Sequence, residues 1–117
     1  MPTMTIEFKD SENQLRHIFI SGRLDTQGAD AIATKFAAMS VSDSRRVVVD
    51  LTQVSFLASI GVRAIISNAK ALQGRKGKMV LHVGNNESVA KTLTTTGIDK
   101  LIPMFTNLAS AEQAALA

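Results

Sequence analysis

The sequence contains no cysteine, no tryptophan and no tyrosine. Without cysteine there are no disulfides, no thiolate metal sites and no cysteine nucleophile. All five aromatic residues are phenylalanine, so the aromatic platforms that usually stack on nucleic-acid bases are scarce. His17 and His82 are the only histidines, which makes a histidine metal site an unfavoured interpretation. The chain is therefore poor in the residue types that metal chemistry and base recognition use.

Long apolar segments are also missing. Charged residues such as Asp50 and Arg63 interrupt every apolar stretch well short of the ~18 residues that a membrane-spanning helix needs. Residues 1–10 lack the basic and then apolar pattern of a signal peptide. We therefore expect no membrane insertion and a cytoplasmic location, which the lack of cysteine also suits.

The rest of the composition is typical of a small folded domain. Hydrophobic residues make up 45% of the 117 residues and charged residues 20%, with a formal net charge of +3. A chain of this length predicts a single domain over residues 1–117. Its one basic cluster, residues 74–78, lacks the spacing of a phosphate-binding loop and has no interleaved aromatics. We therefore expect no direct binding of nucleic acid.

Apolar periodicity predicts five strands, the first two forming an antiparallel hairpin and the second ending before residues 21–26. The predicted strands are 5–9, 15–20, 47–49, 79–83 and 101–105. Since Pro103 has no backbone N–H, the last of them should lie at a sheet edge.

Apolar residues at helical spacing predict four helices, which begin near residues that cap helices well. The predicted starts are Asp25 or Thr26, Ser59, the turn at residues 84–86, and Asn107. Strands and helices alternate after the hairpin. This order predicts an α/β fold with a mixed, mostly parallel sheet of about five strands, covered by about four helices.

Three polar residues within or after strands have ordinary structural interpretations. His17 and His82 lie in strand patterns without readable partners, which indicates structural or surface histidines. Asp50 closes an apolar strand and could form an acidic pair with Asp25, because both follow strands. Stabilisation of a turn is the favoured role for Asp50.

Ser59 has a more informative position, between a strand and a helix at the carboxyl end of the strand, where α/β folds place their sites. Its spacing predicts that it caps the helix. A hydrolase nucleophile is poorly supported, because no GxSxG motif surrounds it and no histidine is near in sequence. A helix start also tolerates an added phosphate, so Ser59 is a candidate phosphoacceptor as well.

Three segments resemble the STAS domain family, in particular its anti-sigma factor antagonists. Residues 47–61, with VVVDL followed by VSFLASIG, resemble the family's aliphatic strand, Asp-Leu pair and Asp-Ser-[Ser/Thr/Ala]-Gly signature. GRLD at residues 22–25 resembles the Gly-[Glu/Arg]-[Leu/Val]-Asp motif after the second strand. Residues 91–101 are similar to the closing Leu-x-x-x-Gly-Leu segment. The resemblance covers about residues 4–116 and implies the STAS fold.

What the resemblance implies is a non-catalytic switch protein without metal or cofactor. In the family, the unphosphorylated protein binds a GHKL-type serine-kinase anti-sigma factor. Phosphorylation of the serine that matches Ser59 ends the binding, and a PP2C-type serine phosphatase restores it. Ala58 stands where the family has an acid. The partner-binding surface implied by the resemblance comprises Asp25, Ala58, Ser59, Ile60, Gly61 and Arg63.

Two other functions remain open at this point. One is a STAS subunit that binds a transporter ATPase or another regulator without phosphorylation, an interpretation that Ala58 favours. The other is an enzyme such as a nucleotide hydrolase, which is disfavoured because the sequence shows no acid/base or metal constellation.

Overall fold

A computed structural model describes residues 4–117, which form five strands, four α-helices and one 3₁₀ turn. The element order confirms the predicted one, with the 3₁₀ turn added between α3 and β5. The elements are β1 (Met4–Asp10), β2 (Leu15–Leu24), α1 (Thr26–Ser40), β3 (Arg46–Leu57), α2 (Ser59–Gln73), β4 (Lys78–His82), α3 (Glu87–Thr96), the 3₁₀ turn (Ile98–Lys100), β5 (Met104–Phe105) and α4 (Leu108–Leu116).

The five strands form one sheet in the order β1-β2-β3-β4-β5. The β1–β2 pair is antiparallel and the other three pairs are parallel, which confirms the mixed, mostly parallel sheet. Parallel strands have their carboxyl ends at one edge. Leu24 at the end of β2 therefore lies opposite Leu57 at the end of β3, and the starts of α1 and α2 are neighbours.

The two faces of the sheet carry cores of different size. The larger core packs α1, α2 and α3 against the sheet and includes the fully buried Phe36, Ile65 and Leu93. On the opposite face α4 contributes two alanines to a small cluster with β2, β3 and β4. Val47 and Val49 belong to the larger core and Val48 to the smaller, which confirms a strand buried on both faces.

The predicted break at residues 21–26 is wrong, because β2 continues to Leu24 and β3 extends far beyond residues 47–49, to Leu57. The register between the two strands shifts twice, after Phe19 and after Gly22, and β3 supplies the extra residue each time. Such bulges interrupt the alternation of side chains while backbone pairing continues. The alternation of apolar and polar residues in the sequence therefore ends before the strands end.

Asn86 joins α3 to the bulged part of β3. Its side-chain amide donates to the carbonyl oxygens of Leu51 at 3.0 Å, Val54 at 2.7 Å and Thr52 at 3.4 Å. Its Oδ1 accepts from the backbone N–H of Val89 at 3.3 Å and so caps α3. One side chain thus satisfies carbonyl groups that a regular ladder would otherwise use.

The last strand is shorter than predicted, since β5 comprises Met104–Phe105 alone. Residues 98–102 close a helical turn instead, with the Ile102 N–H donating to the Ile98 carbonyl at 2.8 Å. The edge position is confirmed, because β5 pairs with β4 alone and Pro103 takes part through its carbonyl oxygen. Within residues 4–117, no helix has both the length and the apolar character that crossing a membrane requires.

Candidate functional site

The carboxyl-terminal edge of the sheet, where the neighbouring strands β2 and β3 end, brings together two of the segments singled out in the sequence. Asp25 follows β2 directly and Ala58 follows β3. The backbone N–H of Ala58 donates to the carbonyl oxygen of Leu24 at 3.0 Å, so the loops before α1 and α2 are hydrogen-bonded to each other. The Asp25 and Ser59 regions, distant in sequence, thus form one surface.

Asp25 caps α1, as predicted. Its Oδ1 accepts the backbone N–H of Gly28 at 2.9 Å, and its Oδ2 lies 3.3 Å from Nε of Arg23. The Gly28 N–H is the main cause that holds the pKa of Asp25 below its ordinary value of 3.8, and Arg23 adds to it. The carboxylate is thus ionised at neutral pH, and its side chain remains 33% exposed beside the start of α2.

The prediction that Ser59 caps α2 is wrong by one residue. Ala58 holds the cap position with extended backbone (φ −92°, ψ 168°), and Ser59 is the first residue of the helix. The Ala58 carbonyl accepts the first helical bond, from the N–H of Val62 at 3.1 Å. Since alanine has no side chain to cap with, the start of α2 is left without a side-chain cap, and Ser59 is exposed.

Gly61 lies beneath this surface rather than on it. A Cβ at this position would stand 2.7 Å from Cγ of Leu24 and 2.9 Å from Cδ1 of Leu57. The first turn of α2 therefore packs directly on the ends of β2 and β3, and glycine permits that approach. Gly61 fixes the position of Ser59 relative to Asp25.

Two large apolar side chains near Ser59 are exposed: Phe56 by 40% and Ile60 by 39%. The guanidinium of Arg23 lies 4.5 Å from the centre of the Phe56 ring. The exposure of Phe56 is not evident from the sequence, because Phe56 stands two residues after the buried Val54 and would share its face in a regular strand. The bulge between the two turns Phe56 outward, and no local signal in the sequence marks it.

A groove of about 490 Å³ runs between α1 and α2 and adjoins Ser59 through Ile60. Small and apolar side chains form most of its walls, and single charged residues lie on α1 and α2. This α1–α2 groove is lined by Thr26, Gln27, Ala29, Asp30, Ala33, Ile60, Arg63, Ala64 and Ser67.

The other polar candidates lie away from this edge. Asp50 accepts from the N–H of Thr52 at 2.9 Å and from its hydroxyl at 2.6 Å. The predicted turn is wrong, because β3 continues through both residues, and these bonds stabilise a bulge in the strand instead. Asp50 pairs with Phe19, five residues before the end of β2, or about 17 Å along the strand, so it forms no acidic pair with Asp25. Between residues 4 and 117 no three potential metal-ligating side chains cluster.

Both histidines have carboxylate neighbours within the fold. His82 Nδ1 lies 3.4 Å from Asp50 Oδ2 on adjacent strands. His17 Nε2 lies 3.2 Å from Glu112 Oε2 and links β2 to α4. These positions confirm the structural interpretation of the two residues.

The sheet edge around Ser59 offers a hydroxyl, an ionised carboxylate and exposed apolar area, which are features of a recognition surface.

The comparisons with known proteins agree with this geometry. A family model described as STAS domain matches residues 7–111. An anti-sigma-B factor antagonist of Listeria monocytogenes is 25% identical over 99 residues, which cover 85% of this chain and 86% of that protein. The sequence-based resemblance is thereby confirmed.

Solved structures show the same fold. The crystal structure of an anti-sigma factor antagonist from Mycobacterium paratuberculosis superposes with a TM-score of 0.85 and 25% identity, covering 97% of this chain and 95% of that one. The anti-sigma factor antagonist SpoIIAA in its unphosphorylated form superposes with a TM-score of 0.73, covering 94% of this chain and 96% of that one. At 16% identity, the second likeness shows the fold alone.

Proposed function

Since this chain belongs to the STAS domain family, we propose that it is an anti-sigma factor antagonist controlled by phosphorylation of Ser59. In its unphosphorylated form it binds a GHKL-type serine-kinase anti-sigma factor in the cytoplasm. Phosphorylation of Ser59 by that kinase ends the binding, and a PP2C-type phosphatase restores it. The observation that carries this proposal is the exposed position of Ser59, at the edge that also presents Asp25 and Ile60.

The position of Ser59 supports phosphorylation without loss of the fold. It is exposed, and the first turn of α2 has free N–H groups and no acidic side chain. A phosphate adds about −1.5 to −2 charges at pH 7, which the start of a helix tolerates. The chain can therefore carry the modification in its native fold.

The same phosphate would oppose docking. Ile60 and Phe56 offer exposed apolar area close to Ser59, and such area is buried in the core of an interface. A doubly charged group placed there must be desolvated when the partner covers it, which weakens the complex. Loss of binding on phosphorylation then requires no change of shape in the antagonist.

Asp25 supports recognition of a basic group on the partner. Gly28 occupies its Oδ1 and Arg23 approaches its Oδ2, yet the side chain stays partly exposed. An ionised carboxylate held in one orientation makes a directional acceptor for an arginine or lysine of the partner.

The experiment that tests the proposal is phosphorylation of the full chain by the purified serine kinase encoded nearest to its gene. Mass spectrometry after prolonged incubation with ATP should find phosphate on Ser59. Ser55 and Ser67 are also exposed and serve as internal controls that should remain unmodified. Phosphate on either control serine, or an unmodified Ser59 with an active kinase, would contradict the proposal.

The second candidate is a phosphorylation-independent subunit that binds a transporter ATPase or another regulator. It is favoured by Ala58, which leaves the cap of α2 without the carboxylate that the family pattern has there. Binding of the wild-type chain to such an ATPase, with Ser59 unmodified by any neighbouring kinase, would support this second function.

A further inference from the structure

The α1–α2 groove extends from the proposed phosphorylation site along both helices, and the function proposed above assigns it no occupant. We propose that it receives one amphipathic helix of the anti-sigma factor. That helix places small apolar side chains on the floor of the groove, a basic side chain against Asp30 and an acidic side chain against Arg63. The inference rests on the proposed function and adds to it the part of the partner that docks.

The floor and size of the groove suit a helix. Ala29 and Ala33 on α1 and Ala64 on α2 line it, and the methyl side chains leave room for close approach of another backbone. At about 490 Å³, the groove has room for a few side chains from one face of a helix. Ile60, 39% exposed at the end beside Ser59, supplies an apolar anchor.

The charges of the groove define what can occupy it. Asp30 on α1 and Arg63 on α2 are both exposed and both line the groove. Neither takes part in an ion pair within the part of the chain that the structure describes. A simple anion or a fatty acid would pair with Arg63 but would be repelled by the negative charge of Asp30. A helix with one basic and one acidic side chain satisfies both, so the charges favour a peptide segment.

The groove also gives the phosphate a specific target. Arg63 follows Ser59 by four residues, so the two share one face of α2. Long side chains in a helix lean towards its N-terminus, so we expect Arg63 to reach a phosphate on Ser59. A phosphate on Ser59 would then compete with the partner's acidic side chain for Arg63. This competition links the modification to the groove.

The first test fills the floor of the groove. Binding of the full unphosphorylated chain to the purified kinase encoded nearest to its gene is measured by calorimetry. Ala33→Leu should weaken binding at least about tenfold, since the larger side chain occupies the space of the incoming helix. Ala38→Leu, exposed on the same helix but outside the groove, is the matched control and should stay within about twofold of wild type. Circular dichroism melts establish that both variants are folded.

The second test concerns the charges. Arg63→Gln and Asp30→Asn should each weaken binding about fivefold, whereas Lys70→Gln, a change of an exposed base on α2 outside the groove, should leave it unchanged. Arg63→Gln should also reduce the loss of affinity that Ser59→Asp causes, because the target of the added charge is gone. Additive effects of these two changes would show that position 59 and Arg63 act independently, and the proposed competition for Arg63 would then be wrong.

The outcomes separate the inference from the proposed function. Wild-type affinity for Ala33→Leu and Arg63→Gln, together with release on phosphorylation of Ser59, would overturn the groove assignment and leave the function in place. A dimer of the free chain that Ala33→Leu dissolves would show a second copy in the groove and would also overturn it. If the wild-type chain binds no anti-sigma factor at all, the proposed function fails and the inference fails with it.

Discussion

Oδ1 of Asp25 accepts the backbone N–H of Gly28 at 2.9 Å, and position 28 admits no side chain. A Cβ there would collide with the carbonyl oxygen of Arg23 and come within 2.9 Å of Cγ of Met4. The start of α1 therefore packs directly against β1 and β2, and its capping residue Asp25 belongs to the proposed partner-binding surface. One oxygen of the Asp25 carboxylate caps α1 and the other pairs with Arg23 at 3.3 Å, while the side chain remains 33% exposed.

Replacing Asp25 with asparagine separates these two roles. Asparagine caps a helix as well as aspartate does, so the midpoint of thermal unfolding of Asp25→Asn should stay close to that of wild type. Affinity for the anti-sigma factor should fall, because the negative charge is lost. Calorimetric binding together with a thermal melt checks both parts. Wild-type affinity in the folded variant would show that Asp25 acts as a cap alone.

The lowered pKa of Asp25 predicts how the contribution of its charge to stability depends on pH. Because the folded pKa lies below the ordinary value of 3.8, the ionised carboxylate stabilises the fold above that value. The contribution is lost as the pH falls through the folded pKa. Urea unfolding at pH 7, 5 and 3 should give similar stability for wild type and Asp25→Asn at pH 7, and wild type should become less stable than Asp25→Asn below pH 3.8. A difference independent of pH would contradict the assigned ionisation.

Substitutions of Ser59 should change binding and leave the fold intact. The side chain is exposed and does not cap α2, so Ser59→Ala should alter the free energy of unfolding by no more than about 0.5 kcal/mol. Ser59→Asp adds a negative charge at the helix start, which stabilises by about 0.3–1 kcal/mol. We expect partner binding to persist in the first variant and to weaken in the second. Equal affinity of all three forms would argue against control at this residue.

Ala58 gives the opposite expectation, a gain in stability. Its extended backbone already has the cap conformation, so the side chain in Ala58→Asp can accept a free N–H of the first turn. A gain of about 1 kcal/mol should raise the midpoint of thermal unfolding by about 4 °C in a chain of this size. Ala58→Asn supplies a cap without charge and is the control. If the aspartate alone changes the rate at which the kinase phosphorylates Ser59, the kinase recognises the charge and not the cap.

The two glycines at the ends of α2 should respond in opposite ways to alanine. Gly61→Ala forces a methyl group against Leu24 and Leu57 and should destabilise the fold by about 1–3 kcal/mol. Gly74 has helical backbone (φ −63°, ψ −17°), and a Cβ there makes ordinary contacts, the nearest at 3.5 Å. Gly74→Ala should therefore be neutral or stabilise by about 0.4–1 kcal/mol. Chemical denaturation of the pair provides the comparison, and similar losses for both would contradict the packing argument.

Local chemistry explains which elements could be predicted from the sequence. Asp25 and Asn107 mark helix starts through bonds within a few residues of themselves, and both starts lie where the sequence predicted them. The start of α2 was misplaced by one residue, because it is fixed by the bond from Ala58 to the carbonyl of Leu24 on another strand. The local sequence around Ala58 does not indicate that the carbonyl of Leu24 accepts this hydrogen bond.

The same reason accounts for the other features that the sequence did not reveal. The bulges of β3 exist through pairing with β2, and the amide of Asn86 satisfies their carbonyls from more than thirty positions away. The outward turn of Phe56 depends on those bulges. The candidate residues Asp25 and Ser59 could be predicted from motifs, whereas the groove that joins α1 to α2 required the tertiary arrangement.

The placement of α4 divides the molecule into parts of unequal local stability. This helix contributes Ala111 and Ala115 to the smaller core, and polar contacts join Glu112 to His17 and the Ala115 carbonyl to Arg46. Little apolar area therefore opposes its local opening, so its amide hydrogens should exchange with solvent sooner than those in the middle of α1 and α2. The face of the sheet that α4 covers lies opposite the partner groove. A complex formed at the α1–α2 groove will slow amide hydrogen exchange in α1 and α2. Exchange in α4 will stay as it is in the free protein.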